Sequence, residues 1–165
     1  RDGSALERVR ELAGGPLYEQ VDVREWVPAP GSFDAVIVMS QSFGYFDAVA
    51  NRAVLDRLIG ALRPGGRLVL DLWNPDFFIA HQGERQFTLP QGAVKETKQV
   101  REGRLLVRLD YPGGTCDLFS WQLFTPGELT AFTGMTPVGF YAGFTPAPPS
   151  AGVPGMQCVL EKSSM

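Results

Sequence analysis

The chain has 165 residues, of which 44% are hydrophobic and 20% charged, enough for one domain with a sizeable core. Nineteen Gly and thirteen Pro are together fewer than one residue in five. That is below the ~25–30% of low-complexity chains, so disorder, collagen-like repeats and a disulfide scaffold are excluded. The net charge of −3, with 15 Lys and Arg against 18 Asp and Glu, argues against a nucleic-acid partner held mainly through phosphates. It leaves a small-molecule substrate open.

No apolar run reaches the ~18–20 residues that span a bilayer, and no signal peptide is legible. The expectation is a cytoplasmic protein away from membranes. Its two cysteines, Cys116 and Cys158, form no C-x-x-C pair and are expected to be reduced thiols. The chain opens at Arg1 rather than Met and reads as part of a longer one.

In chain order, Ser4 to Leu12 predicts a short helix: Ser4 caps it, and Leu6, Val9 and Leu12 share a face. Leu17 to Val23 predicts a short strand ending at Asp22 or Val23, on the alternation of Val21 and Val23. Phe33 to Ser40 is the clearest strand. Its continuous, β-branched apolar run fits burial on both faces, as in a parallel sheet covered by helices. Gln41 to Phe46 is an aromatic loop. A helix is expected from Asp47 to Leu62, with Val54, Leu55, Leu58, Ile59 and Leu62 forming a broad stripe. Arg63-Pro64-Gly65-Gly66 ends it, and Arg67 to Leu72 is a second buried strand. Strand, helix and strand with short links make a βαβ crossover.

Beyond Trp73-Asn74-Pro75 the pattern changes. Phe87 to Val100, Leu105 to Tyr111 and Asp117 to Phe124 read as three antiparallel strands, separated by glycine-bearing turns. Thr125-Pro126-Gly127-Glu128 matches a capping box that opens a short helix to Gly134. Phe140 to Phe144 and Met156 to Lys162 close the chain as strands. The domain reading is 1–75 for a Rossmann-like core part, 76–124 for an antiparallel insertion, and 125–165 for the last helix and closing strands.

Ligands of open α/β sheets bind outside the carboxyl ends of the strands. Three such ends are visible: Asp22-Val23, Ser40-Gln41, and Asp71 through Asn74. Asp22 either accepts from an amine or ribose at the cleft rim or caps a turn. Ser40 to Phe46 is rich in polar and aromatic groups, and Gly44 permits close backbone approach. At least one of Phe43, Tyr45 and Phe46 is expected to pack the next helix. His81, the only histidine, is either a general base or a bystander. The sequence has no G-x-S-x-G elbow, Walker loop, H-E-x-x-H, metal cluster or G-x-G-x-x-G.

Phe33-Asp34-Ala35-Val36-Ile37, followed by a helix and Leu62-Arg63-Pro64-Gly65-Gly66-Arg67-Leu68-Val69-Leu70, resembles the class I S-adenosylmethionine-dependent methyltransferases. In that family "FDAV" opens the fourth strand, and "LRPGGRLVLD" joins the next helix to the fifth. Glu19 to Arg24 resembles the end of the third strand. Phe124 to Leu129, Phe140-Tyr141 and Val159 to Lys162 resemble the last helix and the sixth and seventh strands. The family's glycine-rich loop is absent, so the resemblance implies an α/β, Rossmann-like methyltransferase sheet that is N-terminally incomplete and carries an antiparallel β insertion.

The resemblance implies S-adenosyl-L-methionine as cofactor and methyl transfer to a small-molecule nucleophile. Asp22 would accept from the adenine amine, and the Val23 N–H would face the ring. Ser40 and Gln41 would line the methionine side. Tyr45, Trp73 and Asn74 would face the acceptor, with His81 as the catalytic candidate. The insertion would roof the acceptor site or make a homodimer contact. Two other readings stand beside this one: a nucleotide-dependent dehydrogenase, and a degenerate, non-catalytic methyltransferase-like domain acting in binding or dimerisation.

Overall fold

The computed structural model describes residues 16, 18–90 and 92–164. The helix expected at Ser4 to Leu12 lies outside them. Strand β1 (Phe33–Val38), helix α1 (Ala48–Ala61) and strand β2 (Leu62–Trp73) form the expected crossover, with β1 and β2 parallel. Strands β7 (Thr136–Ala142) and β8 (Gly155–Glu161) complete a four-stranded sheet in the order β1-β2-β8-β7. Both join it antiparallel.

Helix α1 starts where Asp47 accepts from the Ala50 N–H at 2.8 Å. Its far end is closed by the Lys162 ammonium, which donates to the carbonyls of Ile59 and Leu62 at 2.9 and 2.6 Å. A cation belongs at that end, where unpaired carbonyls gather. Val54, Leu55 and Leu58 face Leu68, Leu70, Met156 and Leu160 in the main core.

Between β2 and α3 (Pro126–Thr133) lies a second sheet, a meander of β3 (Gly83–Leu89), β4 (Gly92–Arg101), β5 (Arg104–Asp110) and β6 (Cys116–Gln122). A short helix, α2 (Pro75–Ala80), leads into it and packs against β4. The second sheet has its own core of Phe78, Leu105, Val107, Trp121 and Leu123. The capping box opens α3 as expected, with Thr125 and Glu128 bonded reciprocally, and Gly134 ends it at φ 66°.

Three expectations are corrected, and one helix is added. Among the described residues, 18–25 form no strand. Asp22 heads a turn whose carbonyl accepts from Glu25 and Trp26 N–H at 2.9 and 3.0 Å. Its own carboxylate takes the Arg24 N–H at 2.9 Å, a local bond that competes with strand pairing.

Next, Phe87 to Val100 is not one strand. Pro90 breaks it, since proline has no N–H to give a ladder, and Leu89 pairs with Gly92 across the break. Helix α2 had no counterpart in the sequence reading. Finally, β1 is not buried on both faces: Ile37 is 63% exposed. Among the described residues β1 pairs only with β2.

Both cysteines are free, Cys116 exposed and Cys158 buried. Burial, with the Asp71 charge nearby, pushes the Cys158 thiol up to about 12. Only the thiolate attacks an alkylating reagent. Iodoacetamide in native buffer is therefore expected to label Cys116 alone, with Cys158 labelled only in denaturant, as read by peptide mass. Labelling of both at equal rates would contradict that packing.

Candidate active site

The carboxyl ends of β1 and β2 meet at one buried carboxylate. Asp71 is 3% exposed and sits opposite Gln157 in the β2–β8 register. Its Oδ2 accepts from the Ser40 N–H at 3.0 Å and from Gln41 Nε2 at 2.8 Å. Its Oδ1 accepts from Gln157 Nε2 at 2.7 Å. Gln157 is fixed in turn, because its Oε1 accepts from the Phe144 N–H at 2.7 Å. The orientation of every group in this chain is thereby set.

What Asp71 holds is strained. Ser40 and Gln41 are both left-handed, at φ 57° and 50°. Each costs a non-glycine residue on the order of 1–3 kcal/mol and persists only where its surroundings impose it. The turn leaves Ser40 exposed and Gln41 half-buried at the rim. The two expected cofactor residues are thus brought together, and the residue that poses them is Asp71. The sequence reading saw Asp71 only as part of a strand end. An acid inside Leu68-Val69-Leu70-Asp71-Leu72 was the available signal.

Gly44, at φ 101°, lets the loop after this turn lie against β6. Its carbonyl accepts from the Gln122 N–H at 2.8 Å, and an added Cβ would stand 2.8 Å from the Gln122 carbonyl. Asn51, fully buried on α1, donates to the Phe46 carbonyl at 2.9 Å and to Gln122 Oε1 at 2.8 Å. The loop therefore joins the two sheets. Phe43 packs into the main core, as one aromatic of the three was expected to do.

Tyr45 is exposed and leans on Trp121, ring centres 4.8 Å apart. Trp121 also meets Trp73 edge-on at 6.1 Å and stacks on Phe119 at 5.7 Å. So Tyr45 and Trp73, two expected acceptor residues, are brought together around Trp121, which the sequence did not single out. Trp73 and Trp121, but not Tyr45, border a cavity of about 460 Å³ between α2 and the second sheet, lined also by Phe77, Phe78 and Phe119. That volume and aromatic lining suit a small organic molecule.

The other expected residues are placed differently. Asn74 is buried and committed to the fold. Its amide donates to the carbonyls of Ser150 and Val153 at 2.7 and 2.9 Å, and its oxygen caps α2 through Asp76 N–H at 3.2 Å. Asp22 is half-buried and clasped by the Arg24 guanidinium, whose nearest nitrogen is 2.6 Å away. Arg24 also lies over the Phe46 ring at 4.9 Å, which brings this turn, with the exposed Val23, up to the loop of the rim. His81 is exposed at the end of α2, stacked on Phe77 at 4.1 Å. Its Nδ1 bonds the Phe77 carbonyl at 2.8 Å, so that nitrogen carries the proton.

Among the described residues no group of three or more His, Cys, Asp or Glu could hold a metal ion, and no helix is long and apolar enough to cross a membrane.

No protein-family model and no curated protein matches the chain. Solved structures do. An S-adenosylmethionine-dependent methyltransferase from Clostridium acetobutylicum superposes with a TM-score of 0.73 at 9% identity, over 96% of this chain and 70% of that one. The fold is that of the S-adenosylmethionine-dependent methyltransferases. The CcbJ methyltransferase from Streptomyces caelestis matches at 0.67 and 15% identity, over 87% of this chain and 62% of its own. CalS10, an amino pentose methyltransferase from Micromonospora echinaspora solved with S-adenosylmethionine bound, matches at 0.62 and 21%, over 96% and 69%. The chain thus spans 62–70% of the length of these three structures. The resemblance read from Phe33 to Ile37 and Leu62 to Leu70 holds at the level of the fold.

Proposed function

We propose that the protein transfers a methyl group from S-adenosyl-L-methionine to a small-molecule nucleophile bound in the cavity beside the rim. The observation that carries this reading is the left-handed Ser40–Gln41 turn, held by Asp71 at the carboxyl ends of two parallel strands, with Trp73, two residues beyond Asp71 on β2, lining an aromatic cavity. Strain kept at such a place is most simply explained by what it presents to a ligand. The methyltransferase neighbours by fold favour this reading over a binding-only domain.

The rim residues fit the cofactor. Ser40 and the Gln41 backbone offer polar groups to a zwitterionic methionine end. Asp22 and Val23, tethered through Arg24 and Phe46, serve the adenine. When bound, the cofactor supplies an electrophilic sulfonium methyl. That methyl would pass to the acceptor's lone pair, with the C–S electrons left on sulfur as a neutral thioether. The protein's work is alignment and the exclusion of water. Trp73 and Trp121 do both by walling the acceptor, and Tyr45 backs Trp121. Where the nucleophile carries a proton, His81 is the proposed base: Nδ1 is held by Phe77, so Nε2 is the nitrogen with the lone pair.

Calorimetric titration of S-adenosylmethionine into the full-length protein tests this. Saturable binding is expected, with Asp22→Ala weakened about tenfold, or ~1.4 kcal/mol. Equal affinity in the two would remove Asp22 from the site, and absence of binding to either would overturn the reading.

A further inference from the structure

Where it lines the cavity, the second sheet is apolar except at Arg85, Glu96 and Lys98. Register places Glu96 opposite Leu109, Lys98 opposite Val107 and Val107 opposite Phe119, all on one face. Glu96 is only 7% exposed. A buried carboxylate costs several kcal/mol unless it is paired. Here it is paired twice: Lys98 Nζ lies 2.8 Å from its Oε2, and Arg85, opposite it on β3, bonds the same oxygen. Burial pushes the Glu96 carboxyl up, but the hydrogen bonds and charges of Arg85 and Lys98 outweigh that and lower its pKa. The cluster is therefore ionised at neutral pH, with two cations to one anion.

This surplus positive charge borders the aromatic cavity, since Arg85, Glu96 and Lys98 all line it. A cationic ligand would worsen the charge imbalance, and a plain hydrocarbon would leave it unanswered.

We propose that the cavity takes a planar aromatic molecule bearing one negative charge on oxygen, an aryl carboxylate or a phenolate. This rests on the reading of the cavity as the acceptor site and narrows it to a substrate class. The ring system stacks among Trp73, Phe77, Phe119 and Trp121. The anionic oxygen faces Lys98 and Arg85.

Naphthoate, naphthylmethanol and naphthylmethylammonium share one ring system and differ in charge. Calorimetric titration of each into the full-length protein without S-adenosylmethionine separates charge from shape. Naphthoate is expected to bind at least tenfold more tightly than the ammonium probe. Glu96→Gln removes the anion and is expected to tighten naphthoate binding several-fold, a gain that no unfolded protein gives. Lys98→Met is expected to weaken it about tenfold, and it decides the matter if Glu96→Gln melts early.

An ammonium probe that binds as well as naphthoate would overturn the proposal. So would naphthoate affinity that ignores both substitutions, or no saturable binding of any probe. The cofactor is absent from this experiment. Failure of S-adenosylmethionine binding therefore leaves a naphthoate preference standing, and loss of the preference leaves the cofactor reading standing.

Discussion

Asp71→Ala is expected to unfold at a temperature about 6–12 °C lower and to lose S-adenosylmethionine affinity at least tenfold. The stability loss follows from the bonds. Three donors converge on this carboxylate, and two of them can turn to other partners only by leaving the rim. Gln157 Nε2 cannot, because Gln157 is buried and its oxygen is held by the Phe144 N–H. A buried donor left unpaired costs ~1–3 kcal/mol, and hydrogen bonds to a charged group contribute ~1.5–3 kcal/mol. A net loss of about 3 kcal/mol shifts the midpoint by the stated range in a protein of this size.

Affinity falls for a separate reason. Without Asp71 nothing compensates the left-handed turn, and Ser40 and Gln41 relax toward ordinary backbone. Asp71→Asn is the sharper control. Its NH2 must face a donor on one side, since the Gln157 amide cannot flip without abandoning Phe144. A loss of about 1–2 kcal/mol is expected there. Thermal melts and calorimetry of both variants check this. Unchanged affinity in both would free the rim from Asp71.

The second large effect is expected at Trp121. Trp121→Ala should cost about 3–5 kcal/mol, the usual range for deleting a buried tryptophan. Trp121 is 8% exposed and touches Tyr45, Trp73 and Phe119. It belongs to the core of the second sheet, which is distinct from the core around Leu68 and Leu70. The damage should therefore be local. Hydrogen exchange is expected to accelerate across β4 to β6 while β2 and β8 keep their protection. Urea melts give the magnitude, and exchange gives the place. Equal acceleration in both sheets would show that the two cores unfold as one unit.

Much of the first sheet was legible because its signals are local. The β-branched run of β1 and the stripe of α1 each state their element without help from distant chain, whereas Arg63-Pro64-Gly65-Gly66, expected as a break before the strand, lies inside β2. The Thr125–Glu128 capping box does the same for α3. The errors also have physical causes. Val21 and Val23 alternate as in a strand, but Asp22 bonds its own neighbour's N–H and makes a turn instead. Asn74-Pro75 marks a helix start, as cap and first position, but the helix is only six residues long and carries no periodic stripe to announce it. Pro90 was read through when it divides two strands. The burial of β1 was inferred from composition, and composition does not say whether a strand has neighbours on both sides.

The candidate site was legible only in part. Ser40 and Gln41 follow from the rule that strand ends carry ligands. Their left-handed backbone and its anchor do not, because Asp71 meets Gln157 across 86 positions of sequence and only the sheet register pairs them. Glu96 and Lys98 stand in the polar run Lys95 to Gln99, which shows no alternation and so no inward face. Trp121 became central only once Gly44 brought the Tyr45 loop onto β6.

The most direct measurement is a crystal structure of the full-length protein with S-adenosylhomocysteine. The account places the ligand's amino-acid end at Ser40 and Gln41, its adenine by Asp22 and Val23, and its sulfur facing the cavity walled by Trp73 and Trp121. A nucleoside seated away from the Ser40–Gln41 turn, or a turn that becomes right-handed when the ligand binds, would contradict it.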